Sequence, residues 1–83
     1  MVIIWGTSTC SYCKRALSLC EQYDLKSKYI LIDTPEKLQE LHDIAPGDTR
    51  TVPQIWWNNK YIGGFNEFQQ EIENTRNFGQ EKI

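Results

Sequence analysis

The most informative segment of the sequence for the fold is Val2-Ile3-Ile4-Trp5-Gly6-Thr7-Ser8-Thr9-Cys10-Ser11-Tyr12-Cys13. Its four leading apolar residues form a continuous run, which predicts a β-strand buried on both faces. The polar turn from Gly6 to Thr9 follows, and a helical pattern begins directly after it. Cys10 is therefore predicted in the first turn of a helix, with Cys13 one turn further along the same face.

Two cysteines placed in this way favour redox chemistry. The exposed N–H groups and the positive end of the helix dipole face the Cys10 sulfur, so the nucleophilic thiolate is favoured there. Cys13 is close enough to close a disulfide with Cys10. A C-x-x-C motif between a strand and a helix is typical of thioredoxin-like redox sites.

Two other interpretations of the motif remain weaker. A zinc site needs about four ligands, and the only further candidates are Cys20 and His42, at no recognisable spacing. A purely structural disulfide between Cys10 and Cys13 would close a loop too short to remove much entropy from the unfolded chain. We therefore predict a catalytic pair.

Composition is that of one globular domain over residues 1–83, with a polar tail from about residue 75. The 83 residues are 40% hydrophobic and 24% charged, and nine basic and eleven acidic residues give a net charge of −2. The charges form no block, which argues against binding of nucleic acid or a membrane surface. No apolar run approaches a membrane span, and the N-terminus lacks a signal-peptide pattern. The odd number of cysteines favours a reducing, cytoplasmic location.

The first half of the chain predicts a helix, a strand and a second helix. The 3.6-residue period from Cys13 predicts a helix ending near Tyr23, with a buried face of Ala16, Leu17 and the core thiol Cys20. Lys28 to Asp33 predicts a second buried strand, parallel to the first across a right-handed crossover. Thr34-Pro35-Glu36 then begins a second helix, which ends at Pro46-Gly47. Its predicted buried stripe is Leu38, Leu41, Ile44 and Ala45, with His42 on the surface.

The second half predicts a hairpin and a last helix. Val52 to Trp57 and Tyr61-Ile62 are predicted strands, joined by a turn at Asn58-Asn59. Trp56 and Trp57 point to opposite faces, so one is expected in the core and the other exposed. Gly63-Gly64 breaks the second of these strands. The last amphipathic helix is predicted from the spacing of Phe65, Phe68 and Ile72.

The combination of motifs resembles the glutaredoxin family from Val2 to about Ile72. The motifs are C-x-x-C after the first strand, Arg50-Thr51-Val52-Pro53-Gln54 at the third strand, and Ile62-Gly63-Gly64 before the last helix. The resemblance implies an α/β, thioredoxin-like fold. Its four-stranded mixed sheet has the order β-α-β-α-β-β-α along the chain and is flanked by three helices.

The resemblance also implies roles for individual residues. Cys10 matches the catalytic nucleophile and Cys13 the catalytic resolving thiol. Pro53 matches a cis-proline that faces the disulfide and leaves the Val52 backbone free to pair with the cysteinyl part of glutathione. The free N–H groups of the last helix are expected to bind the γ-glutamyl carboxylate. The expected glutathione-binding residues are Tyr12, Arg50, Thr51, Val52, Pro53, Gly64, Phe65 and Asn66.

Three positions depart from the common family pattern. Ser11 stands where many members have proline, and Asn66-Glu67 replaces an acidic pair near the glutamyl amino group. Thr7 stands where many members have a lysine, so the usual cation for the glycyl carboxylate of glutathione is missing. Arg50 or Lys14 is the candidate substitute, and we favour Arg50.

The expected function is a glutathione-dependent thiol–disulfide oxidoreductase that reduces protein disulfides and glutathione mixed disulfides. The protein is expected to be a monomer, and ribonucleotide reductase is a family-level candidate substrate. Ser11 leaves an alternative open, in which Cys10 and glutathione hold a [2Fe–2S] cluster between two protomers as a carrier or sensor. A third hypothesis is a glutaredoxin-like protein that thioredoxin reductase reduces.

Overall fold

The protein follows the predicted order of helices and strands. The computed structural model describes residues 1–46 and 51–81, with side chains described as far as Thr75. Within these ranges no helix is long and apolar enough to cross a membrane. The elements are β1 Val2–Gly6, α1 Ser11–Gln22, β2 Ser27–Leu31, α2 Pro35–Ile44, β3 Gln54–Trp57, β4 Lys60–Gly63 and α3 Phe65–Glu81.

The four strands form one mixed sheet in the spatial order β2-β1-β3-β4. β1 runs parallel to β2 and antiparallel to β3, and β3 runs antiparallel to β4. β1 therefore has a partner on each side, and Val2 and Ile4 are fully buried. The predicted βαβ unit, mixed sheet and buried first strand are confirmed.

Helices α1 and α3 pack against each other and supply the core with its helical side chains. As predicted, Ala16 and Cys20 of α1 are fully buried, while Leu17 packs half-buried against the same cluster. Burial raises the pKa of the Cys20 thiol above its ordinary value of 9.0, so this thiol stays protonated and inert at neutral pH. From α3, Phe68 and Ile72 complete the core.

Helix α2 begins as predicted, but fewer of its apolar side chains are buried than predicted. The Thr34 hydroxyl caps it by accepting from the Lys37 N–H at 3.2 Å, and Pro35 is the first helical residue. Of the predicted stripe only Leu41 is fully buried, whereas Leu38 is 40% and Ile44 53% exposed. The stripe prediction was wrong because, in the part of the chain that the structure describes, α2 packs extensively against no other element.

The second strand also differs from the prediction. β2 lies at the edge of the sheet, with Tyr29 and Ile30 half-buried and Leu31 39% exposed. The apolar run indicated a strand buried on both faces, but a strand with a single neighbour and little cover from α2 remains open to solvent. His42 of α2 is exposed, as predicted.

The β3–β4 hairpin turns at Asn58-Asn59, where both residues have positive φ values of 52° and 69°. This is the backbone of a type I′ turn, which asparagine tolerates better than other non-glycine residues. β3 begins at Gln54 rather than at Val52, because Pro53 has no N–H to donate to a strand neighbour.

Neither tryptophan of β3 is fully buried or fully exposed, so that prediction was wrong. Trp57 contacts Phe68 edge-to-face at 5.7 Å between ring centroids, and Trp56 contacts Tyr61 at 4.9 Å. Trp57 also packs against the core cluster, and both indoles are half-buried.

Helix α3 continues to Glu81, past the predicted start of the polar tail at about residue 75. The single domain with a polar tail stays a prediction. The predicted helix end at Gly47 falls outside the described residues, while α2 itself ends at Ile44 with Ala45 as its C-cap.

Candidate active site

Cys10 and Cys13 form a disulfide at the N-terminus of α1, with Cα atoms 5.3 Å apart. Cys10 is the N-cap residue, and its sulfur accepts the Cys13 N–H at 3.1 Å. Cys10 is half-exposed, whereas Cys13 is fully buried. An incoming thiolate or disulfide can therefore reach Cys10, while Cys13 can react only with a sulfur already joined to Cys10.

A groove of about 200 Å³ lies beside this cysteine pair. It is formed by the third residue of the motif, by the segment before β3 and by the start of α3. The lining residues are Tyr12, Thr51, Val52, Pro53, Gly64, Phe65, Asn66 and Glu67. Of the residues expected to bind glutathione, seven lie together here, while Arg50 falls outside the described residues. The Val52–Pro53 peptide bond is cis, as the resemblance implied.

Aromatic and cationic groups shape one wall of the groove. The rings of Tyr12 and Phe65 are 5.7 Å apart and tilted by 50°. The guanidinium of Arg15 lies over the Tyr12 ring, 5.1 Å from its centroid. Tyr12 remains 51% exposed, so its ring offers an apolar surface next to Cys10. This cation–π contact holds a positive charge close to the mouth of the groove.

The start of α3 differs from the expected free anion site. The Gly64 N–H donates to the Glu67 carboxylate at 2.8 Å, as in the second half of a capping box. Gly63 and Gly64 leave room for this contact, since a Cβ on either would come within 3.2 Å of the Glu67 carboxylate oxygen. The prediction of free N–H groups is therefore wrong for Gly64. A bound carboxylate would have to share that donor with Glu67 or displace it.

Gln54 connects the groove segment to the sheet, and the sequence analysis quoted it in a motif without assigning it a role. Its side chain is only 3% exposed, and its amide nitrogen donates to Thr51 O at 2.9 Å and to Thr51 Oγ1 at 3.2 Å. The Tyr61 hydroxyl donates to the Gln54 amide oxygen. Its place at the end of the Arg50-Thr51-Val52-Pro53-Gln54 motif and at the start of β3 was the signal in the sequence. Burial and Glu67 raise the pKa of Tyr61, so its hydroxyl remains a donor.

Gln54→Ala is expected to lower the free energy of unfolding by about 1–3 kcal/mol, because it removes a nearly fully buried amide together with its hydrogen bonds to Thr51 and Tyr61. Gln70→Ala removes the same amide from the exposed face of α3, where it contacts Asn74 at 3.3 Å. That control should change stability by about 0.5 kcal/mol or less. Urea unfolding measures both, and equal losses in the two variants would contradict the structural role of Gln54.

Other predicted residues lie apart from the groove. His42 is on the surface of α2, and Cys20 is in the core. Within residues 1–46 and 51–81, no group of three or more His, Cys, Asp or Glu side chains could hold a metal ion. Thr7 follows β1, and its carbonyl accepts the Tyr29 hydroxyl at 2.6 Å.

A parallel βαβ unit followed by a β-hairpin, with a C-x-x-C disulfide capping the first helix, defines a thioredoxin-like dithiol protein. Sequence comparison narrows this class, since the profile of the Glutaredoxin family matches residues 2–62. The chain belongs to the glutaredoxin family.

Relatives and solved structures agree with this assignment. The chain is 36% identical over 75 residues to glutaredoxin 1 of Escherichia coli, covering 80% of this chain and 85% of that protein. It is 31% identical over 79 residues to glutaredoxin-C8 of Oryza sativa, where it covers 90% of this chain but only 58% of the longer rice protein. The solution structure of reduced E. coli glutaredoxin superimposes with a TM-score of 0.72 at 32% identity, covering 92% and 96% of the two chains. Family membership and the Cys10–Cys13 pair together support a thiol–disulfide oxidoreductase.

Proposed function

We propose that this protein is a glutathione-dependent oxidoreductase that reduces protein disulfides and glutathione mixed disulfides through Cys10 and Cys13. The observation that carries the proposal is the groove beside the cysteine pair, in which Tyr12 belongs to both the motif and the groove wall. A small thiol peptide bound there would present its sulfur to the half-exposed Cys10.

The exposure of the two cysteines supports a different role for each of them in the proposed cycle. The Cys10 thiolate attacks a substrate disulfide, forms a new S–S bond and releases one substrate sulfur as a thiolate. Cys13 then attacks the Cys10 sulfur, which releases the second substrate thiolate and leaves the Cys10–Cys13 disulfide. Two glutathione molecules reduce that disulfide and leave as glutathione disulfide, so two electrons pass from glutathione to the substrate.

The groove offers partners for several parts of glutathione. The Val52 backbone lies next to Pro53, where the cysteinyl unit would pair as a short added strand. At the start of α3, the glutamyl carboxylate would meet the helix N–H groups, and the Glu67 carboxylate would meet the glutamyl ammonium. Because Glu67 caps Gly64 at 2.8 Å, glutathione binding would draw this carboxylate from the backbone toward the ligand.

Thr7→Lys is expected to lower the KM for glutathione a few-fold with little change in kcat. A lysine at position 7 would supply the cation that many family members place there for the glycyl carboxylate, and an exposed ion pair is worth only about 0.2–1 kcal/mol. Steady-state kinetics at two salt concentrations measures the effect, since added salt should weaken the gain. Thr7→Gln, which adds length without charge, is the matched control. An equal gain from both variants would contradict the charge argument.

The experiment that tests the proposal compares two reductants. Turnover of a glutathione mixed disulfide is followed with glutathione and glutathione reductase, and then with thioredoxin and thioredoxin reductase. We expect the glutathione system to sustain turnover and the thioredoxin system to sustain little. The reverse result would refute glutathione dependence while leaving the thiol–disulfide chemistry of Cys10 and Cys13 intact.

We also propose that the protein acts as a monomer in the cytoplasm on protein disulfides, with ribonucleotide reductase as one candidate substrate. A Cys13→Ser variant would trap such substrates as mixed disulfides on Cys10.

The iron–sulfur alternative stays a prediction. A cluster on Cys10 would need ligands from glutathione and a second protomer, because no third candidate ligand lies beside the cysteine pair within the described residues. Visible absorbance after anaerobic reconstitution with glutathione tests it.

A further inference from the structure

Three residues from three different elements meet behind the cysteine motif. Gly6 is the last residue of β1, Cys13 lies in the first turn of α1, and Tyr29 is in β2. A Cβ atom on Gly6 would come closer than 3.0 Å to both the Cys13 sulfur and the Tyr29 hydroxyl oxygen. The sulfur and the oxygen are therefore less than twice that distance apart, and both lie beside the Gly6 backbone. A direct hydrogen bond or one bridging water spans such a separation.

We propose that Tyr29 is a positioning residue for the resolving step, in which its hydroxyl donates a hydrogen bond to the Cys13 thiolate. Gly6 makes this arrangement possible because any larger side chain would fill the space between the two groups. The inference rests on thiol–disulfide exchange at Cys10 and Cys13, and it holds whichever thiol reduces the protein.

The proposed role follows from the burial of Cys13. When a thiolate attacks Cys10 in the disulfide, the electron pair of the broken S–S bond goes to the Cys13 sulfur, which becomes a thiolate in a fully buried position. A buried charge without a hydrogen-bond donor is costly. In the opposite direction, Cys13 must lose its proton to solvent before it attacks a mixed disulfide on Cys10, and the same donor would favour that thiolate. Tyr29 keeps its own proton in both directions.

The Tyr29 hydroxyl can change its hydrogen-bond acceptor when the disulfide opens. In the disulfide state its hydroxyl donates to the Thr7 carbonyl at 2.6 Å. The hydroxyl hydrogen turns about the C–O bond, so the same oxygen can donate to the sulfur once the S–S bond has opened. Burial raises the pKa of Tyr29 above its ordinary value of 10.0, so the hydroxyl remains a donor throughout the physiological pH range. Along α1, the ionisable and charged groups within three residues of Cys13 are Cys10, Tyr12, Lys14 and Arg15, and the last three are exposed.

The test follows the resolving step without glutathione. Reduced protein is mixed rapidly with an aromatic disulfide that releases a coloured thiolate, 5,5′-dithiobis(2-nitrobenzoate). Attack by Cys10 gives a first release whose rate depends on reagent concentration. Attack by Cys13 on the resulting mixed disulfide gives a second release whose rate does not. Cys13→Ser abolishes the second release and so identifies it.

Tyr29→Phe is expected to slow the second release about three- to tenfold at neutral pH. A hydrogen bond to an ionised group favours the thiolate by a tenfold factor or more, but a better stabilised thiolate is also a poorer nucleophile. The first release should be unchanged, and the pH at which the second release reaches half of its plateau rate should rise. Tyr23→Phe, the same hydroxyl deletion at the far end of α1, should change neither release.

Two outcomes would overturn the proposal. One is an unchanged second release with an unchanged pH midpoint, and the other is equal slowing of both releases, which would indicate a purely structural role at Thr7. A measurement on the unsubstituted protein serves if Tyr29→Phe does not fold. The ¹³Cζ NMR signal of Tyr29 should shift on reduction as its hydroxyl changes acceptor, and an unshifted signal would likewise overturn the proposal.

Discussion

Cys10→Ser is expected to abolish turnover of glutathione mixed disulfides, while Cys13→Ser keeps much of it. Cys10 is half-exposed at the N-terminus of α1, and its sulfur is the one that a substrate can reach. Cys13 is fully buried beneath it and is needed only when the substrate must be released without a second thiol. Protein disulfide substrates, which use that route, should therefore lose activity in both variants. Glutathione-coupled turnover of a small mixed disulfide and of a protein disulfide separates the two cases.

Cys20→Ser provides the matched control for these serine substitutions. Cys20 is fully buried in the core and is not part of the disulfide. Its replacement should lower stability somewhat but leave the turnover of folded protein nearly unchanged. Equal loss of mixed-disulfide activity in the Cys10 and Cys13 variants would contradict the single-cysteine route. Loss of activity in a folded Cys20→Ser variant would contradict its assignment as a core thiol.

Leu41→Ala is expected to lower the free energy of unfolding by about 2–5 kcal/mol, the cost of removing a fully buried leucine side chain. Leu38→Ala, one turn earlier on the same helix, removes the same atoms from a side chain that is 40% exposed. It should cost about 1 kcal/mol or less. Urea unfolding of the two variants measures the difference. The two variants distinguish the structure from the sequence pattern, because the amphipathic pattern of α2 predicts equal burial for both leucines.

Equal destabilisation in the two leucine variants would mean that α2 packs along its whole apolar stripe, as the sequence predicts. A loss confined to Leu41→Ala would support a helix that is anchored at one point. The total stability of a small domain is about 5–15 kcal/mol, so the larger of these losses would be readily visible in the unfolding midpoint.

Local sequence determined the order of the elements and the chemistry at the head of α1. The apolar run of β1, the 3.6-residue spacing of α1, the cap at Thr34 and the turn at Asn58-Asn59 each depend on neighbouring residues alone, and all are confirmed. The groove was predictable only through resemblance to a family. Its residues come from three separated segments, and no local sequence pattern indicates which segments lie together in the folded protein.

Which side chains are buried, and which residues distant in sequence make contact, depends on the tertiary structure. Hydrophobic periodicity shows which residues share a face but not whether another element covers that face, so Leu38 of α2 and Leu31 of β2 remain exposed. The approach of Tyr29 and Cys13 to Gly6 depends on the parallel pairing of β1 with β2. The hydrogen bond between Gln54 and Tyr61 depends on the β3–β4 hairpin. These contacts are set by chain topology, because the energy of a hydrogen bond or a buried side chain depends on partners that the local sequence does not name.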